Sequence, residues 1–180
     1  MNIGDDRMKA SKLLKFVGVG MVFSSFLFAC SHKDSDVKTI GVLQYMEHGA
    51  LDAAYEGFIA GLAEEGYIEG ENIKIDLKNA QGDLTTAQTI ANQYVSDDVD
   101  MMFAIATQAV QSAYNATKDI PILMTAVTDP VEAGVVKDWN QSGTNVTGTS
   151  DLTPVAKQME LITELVPEAK TVGVIYTTSE

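Results

Sequence analysis

"MMFAIATQAVQSAYNAT", Met101 to Thr117, decides the fold. Its first six residues are apolar without a break. A strand with one wet face alternates apolar and polar residues, whereas one covered on both faces is apolar throughout. From Thr107 the stretch reads as a helix, "TQAVQSAYNAT". A doubly covered strand that feeds a helix is the repeating unit of a parallel sheet, because parallel neighbours need a crossover between them.

The same alternation extends in both directions. Downstream, "IPILMTAV" (120–127) is another buried strand, with Pro121 at its entry. "DPVEAGVVKDW" (129–139) opens with Asp then Pro, a cap and first-turn pair, and is expected to be a helix. "NVTGTSD" (145–151) is a short extended piece. Upstream, "TIGVLQY" (39–45) is a continuous apolar strand with Gly41 inside it. "ALDAAYEGFIAGLAEEG" (50–66) puts Leu51, Ala54, Tyr55, Phe58, Ile59 and Leu62 on one helical face, with Gly66 at the C-terminal cap. "NIKIDLKNA" (72–80) alternates, with Ile73, Ile75 and Leu77 on one side. Asp83 suits the N-cap of "LTTAQTIANQYVS" (84–96), whose inward residues are Leu84, Ala87, Ile90, Ala91 and Tyr94. Met101, Met102 and Met124 read as strand core. The fold class is therefore α/β: a parallel sheet with helices on both faces.

The alternation lapses near residue 145. Thr153-Pro154 then opens a helix, 155–166, which Pro167 stops. "TVGVIYTTSE" (171–180) follows, and it begins like "TIGVLQYMEHG" (39–49): Thr, β-branched, Gly, Val, large aliphatic. This predicts two lobes built alike. Residues 37–150 form the N-terminal lobe, 151–170 a crossover helix, and 171–180 the first strand of an incomplete second lobe. That strand is expected to be poorly anchored.

Residues 1–29 read as a signal peptide. Arg7, Lys9, Lys12 and Lys15 precede an uncharged run, 16–29. The run is shorter than the ~20 residues that span a bilayer as a helix. It ends "LFAC", which resembles a lipobox. Cys30 is thus expected to be lipidated, with 30–38 as a polar tether. Cys30 is the only cysteine, so no disulfide can form within the chain. The predicted location is exported and lipid-anchored, on the extracellular or periplasmic face.

The chain carries a net charge of −13. From Cys30 onward there are 8 Lys and no Arg against 23 Asp and Glu. A surface of that sign repels phosphate backbones, so no nucleic acid is expected as a partner. The missing Arg also means that no guanidinium fork is available to hold a carboxylate.

Ligands of an open parallel sheet bind beyond the carboxyl ends of its strands. That selects four turns: 44–52, 79–83, 106–111 and 125–134. Signatures of catalysis are missing from them. There is no Gly-x-Ser-x-Gly, "GYIEGEN" (66–72) is no phosphate loop, and Glu47, His48 and Asp52 match no metal-ligand pattern. No enzymatic activity, cofactor or metal is expected. Binding fits better. Thr107 and Gln108 begin a helix, whose free N–H groups and Thr hydroxyl can hold a carboxylate without Arg. Asp129 could pair an ammonium group, and the two together suit an α-amino acid. Thr107 and Asp129 can also be read as plain helix caps, Asp129 before Pro130 more readily than Thr107. Gln44 and Tyr45 lie at the end of the first strand, where Tyr45 either stacks on a flat ligand or is core. Glu47, on the rim, Thr128, beside Asp129, and Ser150 complete the candidate ligand set.

"GVLQYMEHGALDAAYEGFIAGLAEEGYIEGENIKID", "NAQGD", "AIATQAVQSAYNATKDIPILMTAVTDPVEAG" and "NVTGTSDLTPVAKQMELITELVPEAKTVGVIY" closely resemble the ABC-transporter substrate-binding lipoproteins of the tryptophan/tyrosine-type family. The resemblance runs through essentially everything after the signal segment. It implies a periplasmic-binding-protein type I fold of two α/β lobes that close on a small ligand. It further implies an amino-acid ligand, aromatic in the best-associated cases, and delivery to an ABC permease driven by an ATPase. The family's turn after the third strand usually reads Ala-Thr-Pro-Ala; here Gln108 stands at the Pro position. Relatives are also longer, and a chain with one lobe is expected to bind ligand weakly or not at all. The alternative from another class is a lipid-anchored sensor or interaction domain, which an exposed apolar patch would favour.

Overall fold

The computed structural model describes residues 37–175. The expected signal peptide, Cys30, most of the tether, and Tyr176 to Glu180 lie outside the described residues.

Among the described residues nine elements follow one another: β1 (Lys38–Gln44), α1 (Gly49–Glu64), β2 (Ile73–Asn79), α2 (Leu84–Ser96), β3 (Met101–Ile105), α3 (Thr107–Ala116), β4 (Ile122–Val127), β5 (Val146–Ser150) and α4 (Val155–Leu165). The five strands make one sheet in the order β2-β1-β3-β4-β5, and every pairing is parallel. The chain steps outward from β1 to β2, then returns past β1 to β3. That reversal puts α1 on one face of the sheet and α2 and α3 on the other.

The two faces explain the apolar run at 101–106. In β3, Phe103 and Ile105 point toward α1 and join Ile40, Val42 and Ile73. Met102 and Ala104 point the other way, into the larger core under α2 and α3 with Leu43, Tyr94 and Val110. The α1 side is thinner. Leu51, Ala54, Tyr55, Phe58 and Leu62 pack on the sheet as expected, yet α1 has no fully buried residue. Phe58 stacks on Phe103 with centroids 4.1 Å apart. Gly66 ends α1 in the left-handed region at φ +84, and the Tyr67 N–H reaches back to the Leu62 carbonyl at 2.8 Å.

Gly41 has a packing reason. The Tyr94 ring lies on it: a Cβ at residue 41 would stand 2.8 Å from ring carbons. The Tyr94 hydroxyl sits 2.9 Å from the Val42 carbonyl and 2.7 Å from that of Asp76, and it can donate to either. Burial and the nearby Asp76 carboxylate push the phenol far above its ordinary pKa, so it stays a donor.

Three expectations are corrected. Residues 129–139 form no helix. Asp129 does cap the N–H groups of Val131 and Glu132, at 2.9 and 3.0 Å. Gly134 then turns left-handed at φ +74, and the Val135 and Val136 N–H groups both fold back to the Pro130 carbonyl. The turn drives those two valines into the core, which a helix continuing along the surface would not do. Leu77 is exposed because β2 is the edge strand of the sheet. Leu84, the first residue of α2, is exposed and is not part of the helix's buried face. Thr171 to Ile175, the described part of 171–180, pair with no strand of the sheet, and Ile175 is fully exposed. Nor does α4 bury any residue.

Candidate functional site

The carboxyl ends of β1, β3, β4 and β5 share one end of the sheet. Each candidate residue sits there, in a different chemical situation.

Gln44 closes β1. Its backbone is in register with Ile105 of β3, and its side chain is 3% exposed. A buried amide must satisfy its hydrogens. Gln44 Nε2 donates to the Met46 carbonyl at 2.9 Å and to Asp52 Oδ1 at 2.6 Å. Asp52 lies in the first turn of α1, so this pair ties the helix to the strand that precedes it. Tyr45, half-buried, packs on the α2–α3 side, and its hydroxyl donates to the Gly82 carbonyl at 2.8 Å. It braces the first turn against the second. Glu47 is exposed. His48 caps α1, with Nδ1 accepting from the Ala50 N–H at 3.2 Å.

At the end of β3 the chain takes an unusual step. Ala106 has φ +83, a conformation that L residues rarely adopt, and Ala126 at the end of β4 has φ +54. Positive φ in two alanines on adjacent strand ends is backbone strain of order 1–3 kcal/mol each, the kind that clusters at binding sites. Ala106 is the N-cap of α3 and supplies no side-chain cap. The first turn of α3 therefore has no side-chain oxygen where one usually sits, and the half-buried Thr107 opens it. Gln108 is nearly buried, and its carbonyl accepts from the Ser112 hydroxyl at 2.8 Å.

Past β4, Thr128 Oγ1 donates to Asp151 Oδ1 at 3.1 Å, and the Ser150 hydroxyl donates to the Thr128 carbonyl at 2.8 Å. The β4 and β5 ends are thus laced together by hydroxyls. Asp129, half-buried, spends Oδ1 on its own turn, so the cap reading holds for that oxygen.

Thr128, Ser150 and Asp129 form one group, and Gln44 stands across β3 from it. Sequence reasoning missed three residues here. Ala106 and Ala126 gave no signal, since alanine does not advertise a positive φ. Asp52 did: an acid in a first helical turn is in reach of the preceding strand end. Among the described residues, no three His, Cys, Asp or Glu cluster as a metal site. A shallow groove of about 210 Å³ opens elsewhere, on the α1 face, lined by Ala54, Phe58, Phe103, Leu123, Met124, Thr125, Gly148 and Thr149. It is apolar and contains none of the candidate residues.

The ABC transporter substrate binding protein profile matches residues 39–180. The chain belongs to that family. Family members bind solutes and are not enzymes. One curated relative, the tyrosine-binding protein of Clostridioides difficile, is 48% identical across 96% of this chain and 54% of its own length. The ligand-free, open structure of a substrate-binding protein with adhesive properties from Clostridium difficile is 55% identical, with a TM-score of 0.71 over 80% of this chain and 49% of that one. An ABC domain in complex with L-Trp from Streptococcus pneumonia is 46% identical, with a TM-score of 0.76 over 80% of this chain and 48% of that one. The fold is that of a periplasmic-binding-protein type I lobe, as the resemblance implied. The chain spans about half the length of the relatives it matches.

Proposed function

We propose that this substrate-binding family member captures an aromatic amino acid beyond the carboxyl ends of its strands and serves an ABC importer. The observation that carries the reading is the uncapped start of α3. The N–H groups there, with the Thr107 hydroxyl, suit the carboxylate of an amino acid in a lobe without Arg. The relatives support it: one is named for tyrosine, and another was solved with L-Trp. The Asp129 oxygen that does not cap its turn, with Thr128 and Ser150, then serves the polar rim. Delivery to a permease, export, and attachment through lipid on Cys30 belong to the same proposal. Labelled palmitate should enter the protein in its host and fail to enter a Cys30→Ser variant; equal labelling of both would refute the anchor.

Calorimetry with tryptophan, tyrosine and phenylalanine tests the ligand. Weak but saturable binding of at least one is expected, in the millimolar rather than the micromolar range, and weakened severalfold further by Thr107→Ala. That variant should fold normally, because Ala106 rather than Thr107 is the N-cap of α3 and no side-chain capping bond is lost. Unchanged affinity in Thr107→Ala would refute the carboxylate site.

A further inference from the structure

The Gln44 amide has a fixed polarity, and that polarity selects one end of an amino acid. Amide oxygen and nitrogen are told apart by their partners. Here both partners, the Met46 carbonyl at 2.9 Å and Asp52 Oδ1 at 2.6 Å, are acceptors. The nitrogen must therefore face them, and both amide hydrogens are consumed inside the lobe. What remains for a ligand is the carbonyl oxygen, Oε1, which accepts and cannot donate. An oxygen of that kind repels a carboxylate and welcomes an N–H donor. Its position fits the task. Gln44 ends β1, in register with Ile105, one residue before Ala106 and two before the N-terminal turn of α3.

We infer that Gln44 recognises the ammonium group of the ligand, and that Asp52 is a positioning residue that holds the Gln44 amide in the orientation this requires. The inference rests on the amino-acid reading above and sharpens it: the α3 start takes the carboxylate, and the β1 end takes the ammonium. Asp129 is the weaker ammonium partner, since its Oδ1 already serves two N–H groups of its own turn. Asp52 acts through the amide. Without it the Gln44 side chain has one acceptor fewer, and its nitrogen can swing outward to present a donor.

Selectivity between ligands reads this directly. Tyrosine and tryptophan are each compared with the amine that lacks the carboxylate (tyramine, tryptamine) and the acid that lacks the ammonium (3-(4-hydroxyphenyl)propionate, indole-3-propionate). Binding is followed by amide-resolved NMR titration of the full chain, which detects millimolar affinities. In the parent protein, removing the ammonium should weaken binding roughly tenfold or more, the scale of a charge-assisted hydrogen bond. Asp52→Ala should erase most of that discrimination, and Asp52→Asn, which keeps an acceptor oxygen, should restore it. A general loss of affinity without a change in the ratio would mark Asp52 as merely structural and overturn the inference. Equal loss of discrimination in Asp52→Asn would assign the effect to the charge of Asp52 and also overturn it. Failure of the parent to bind any amino acid would instead refute the amino-acid reading, and this inference with it.

Discussion

Gly41→Ala is the sharpest test of how this core is built. The new Cβ would lie 2.8 Å from Tyr94 Cγ and Cδ2 and 2.9 Å from Cδ1. That is about 1 Å inside the ~3.5–4.0 Å optimum for carbon contacts. Tyr94 has nowhere to retreat: it projects from α2 and is fully buried, with its hydroxyl against the Val42 and Asp76 carbonyls. Overpacking of this kind costs roughly 1–3 kcal/mol. If the ring shifts enough to break its hydrogen bond, about 1 kcal/mol more is lost. Alanine restricts the unfolded chain more than glycine, which returns about 0.4–1 kcal/mol. The net loss should be about 2–3 kcal/mol. Urea unfolding followed by circular dichroism would show a midpoint lowered by about 1 M or more, given slopes of ~1–3 kcal/mol per molar for chains of modest size. Tyr94→Phe keeps the ring and should keep the Gly41→Ala penalty. Tyr94→Leu destabilises by itself but removes the ring, so Gly41→Ala should cost little in its background. A Gly41→Ala protein within about 0.5 kcal/mol of its parent would refute the reasoning. So would an equal penalty with and without the Tyr94 ring.

Gly148→Ala should be worse tolerated. Gly148 has φ +151, and its Cβ would fall 2.0 Å from the Met124 carbonyl oxygen, where β4 and β5 lose register; backbone strain alone accounts for about 1–3 kcal/mol, and thermal unfolding within a degree or two of the parent would contradict this. Asp100 should govern part of the acid stability. Its carboxylate accepts from the Lys38 ammonium and the Thr39 N–H, both at 2.8 Å, and these hold its pKa below the ordinary value. A carboxyl group depressed in the folded state stabilises at neutral pH, and that contribution is lost as pH falls through the folded pKa. The stability gap between the parent and Asp100→Asn should therefore shrink on the acid side of ~4, the ordinary Asp value; a gap that holds constant to lower pH would contradict the assignment.

The sheet was readable because its strands differ from one another. β3 is apolar throughout and β4 is so but for Thr125, as strands covered on both faces tend to be, while β2 alternates, as an edge strand does. The helix starts at Asp83 and the stop at Gly66 were readable from cap chemistry. What misled was Asp129-Pro130. That pair announces a helix start, and it does cap one turn, but the burial of Val135 and Val136 outweighed continuation. At the site, Gln44 could be placed at a strand end from the pattern, whereas its partner could not be named from periodicity alone. The positive φ of Ala106 and Ala126 arises from how β3 and β4 end against their neighbours, and no local residue preference encodes it. The half-exposed state of α1 was likewise not legible, since its apolar face is as regular as that of a fully covered helix.

The most direct measurement is a residue-resolved NMR titration of the chain with L-tyrosine and L-tryptophan. The expected result is saturable shifts at the Thr107 and Gln108 amides, the Gln44 side-chain amide, and the Asp129 and Ser150 amides, all at the carboxyl ends of the strands. Shifts centred on the opposite end of the sheet, around Asp100 and Asn145, or in the Phe58–Phe103 groove, would contradict the proposed site, and the absence of any saturable shift would contradict amino-acid binding itself.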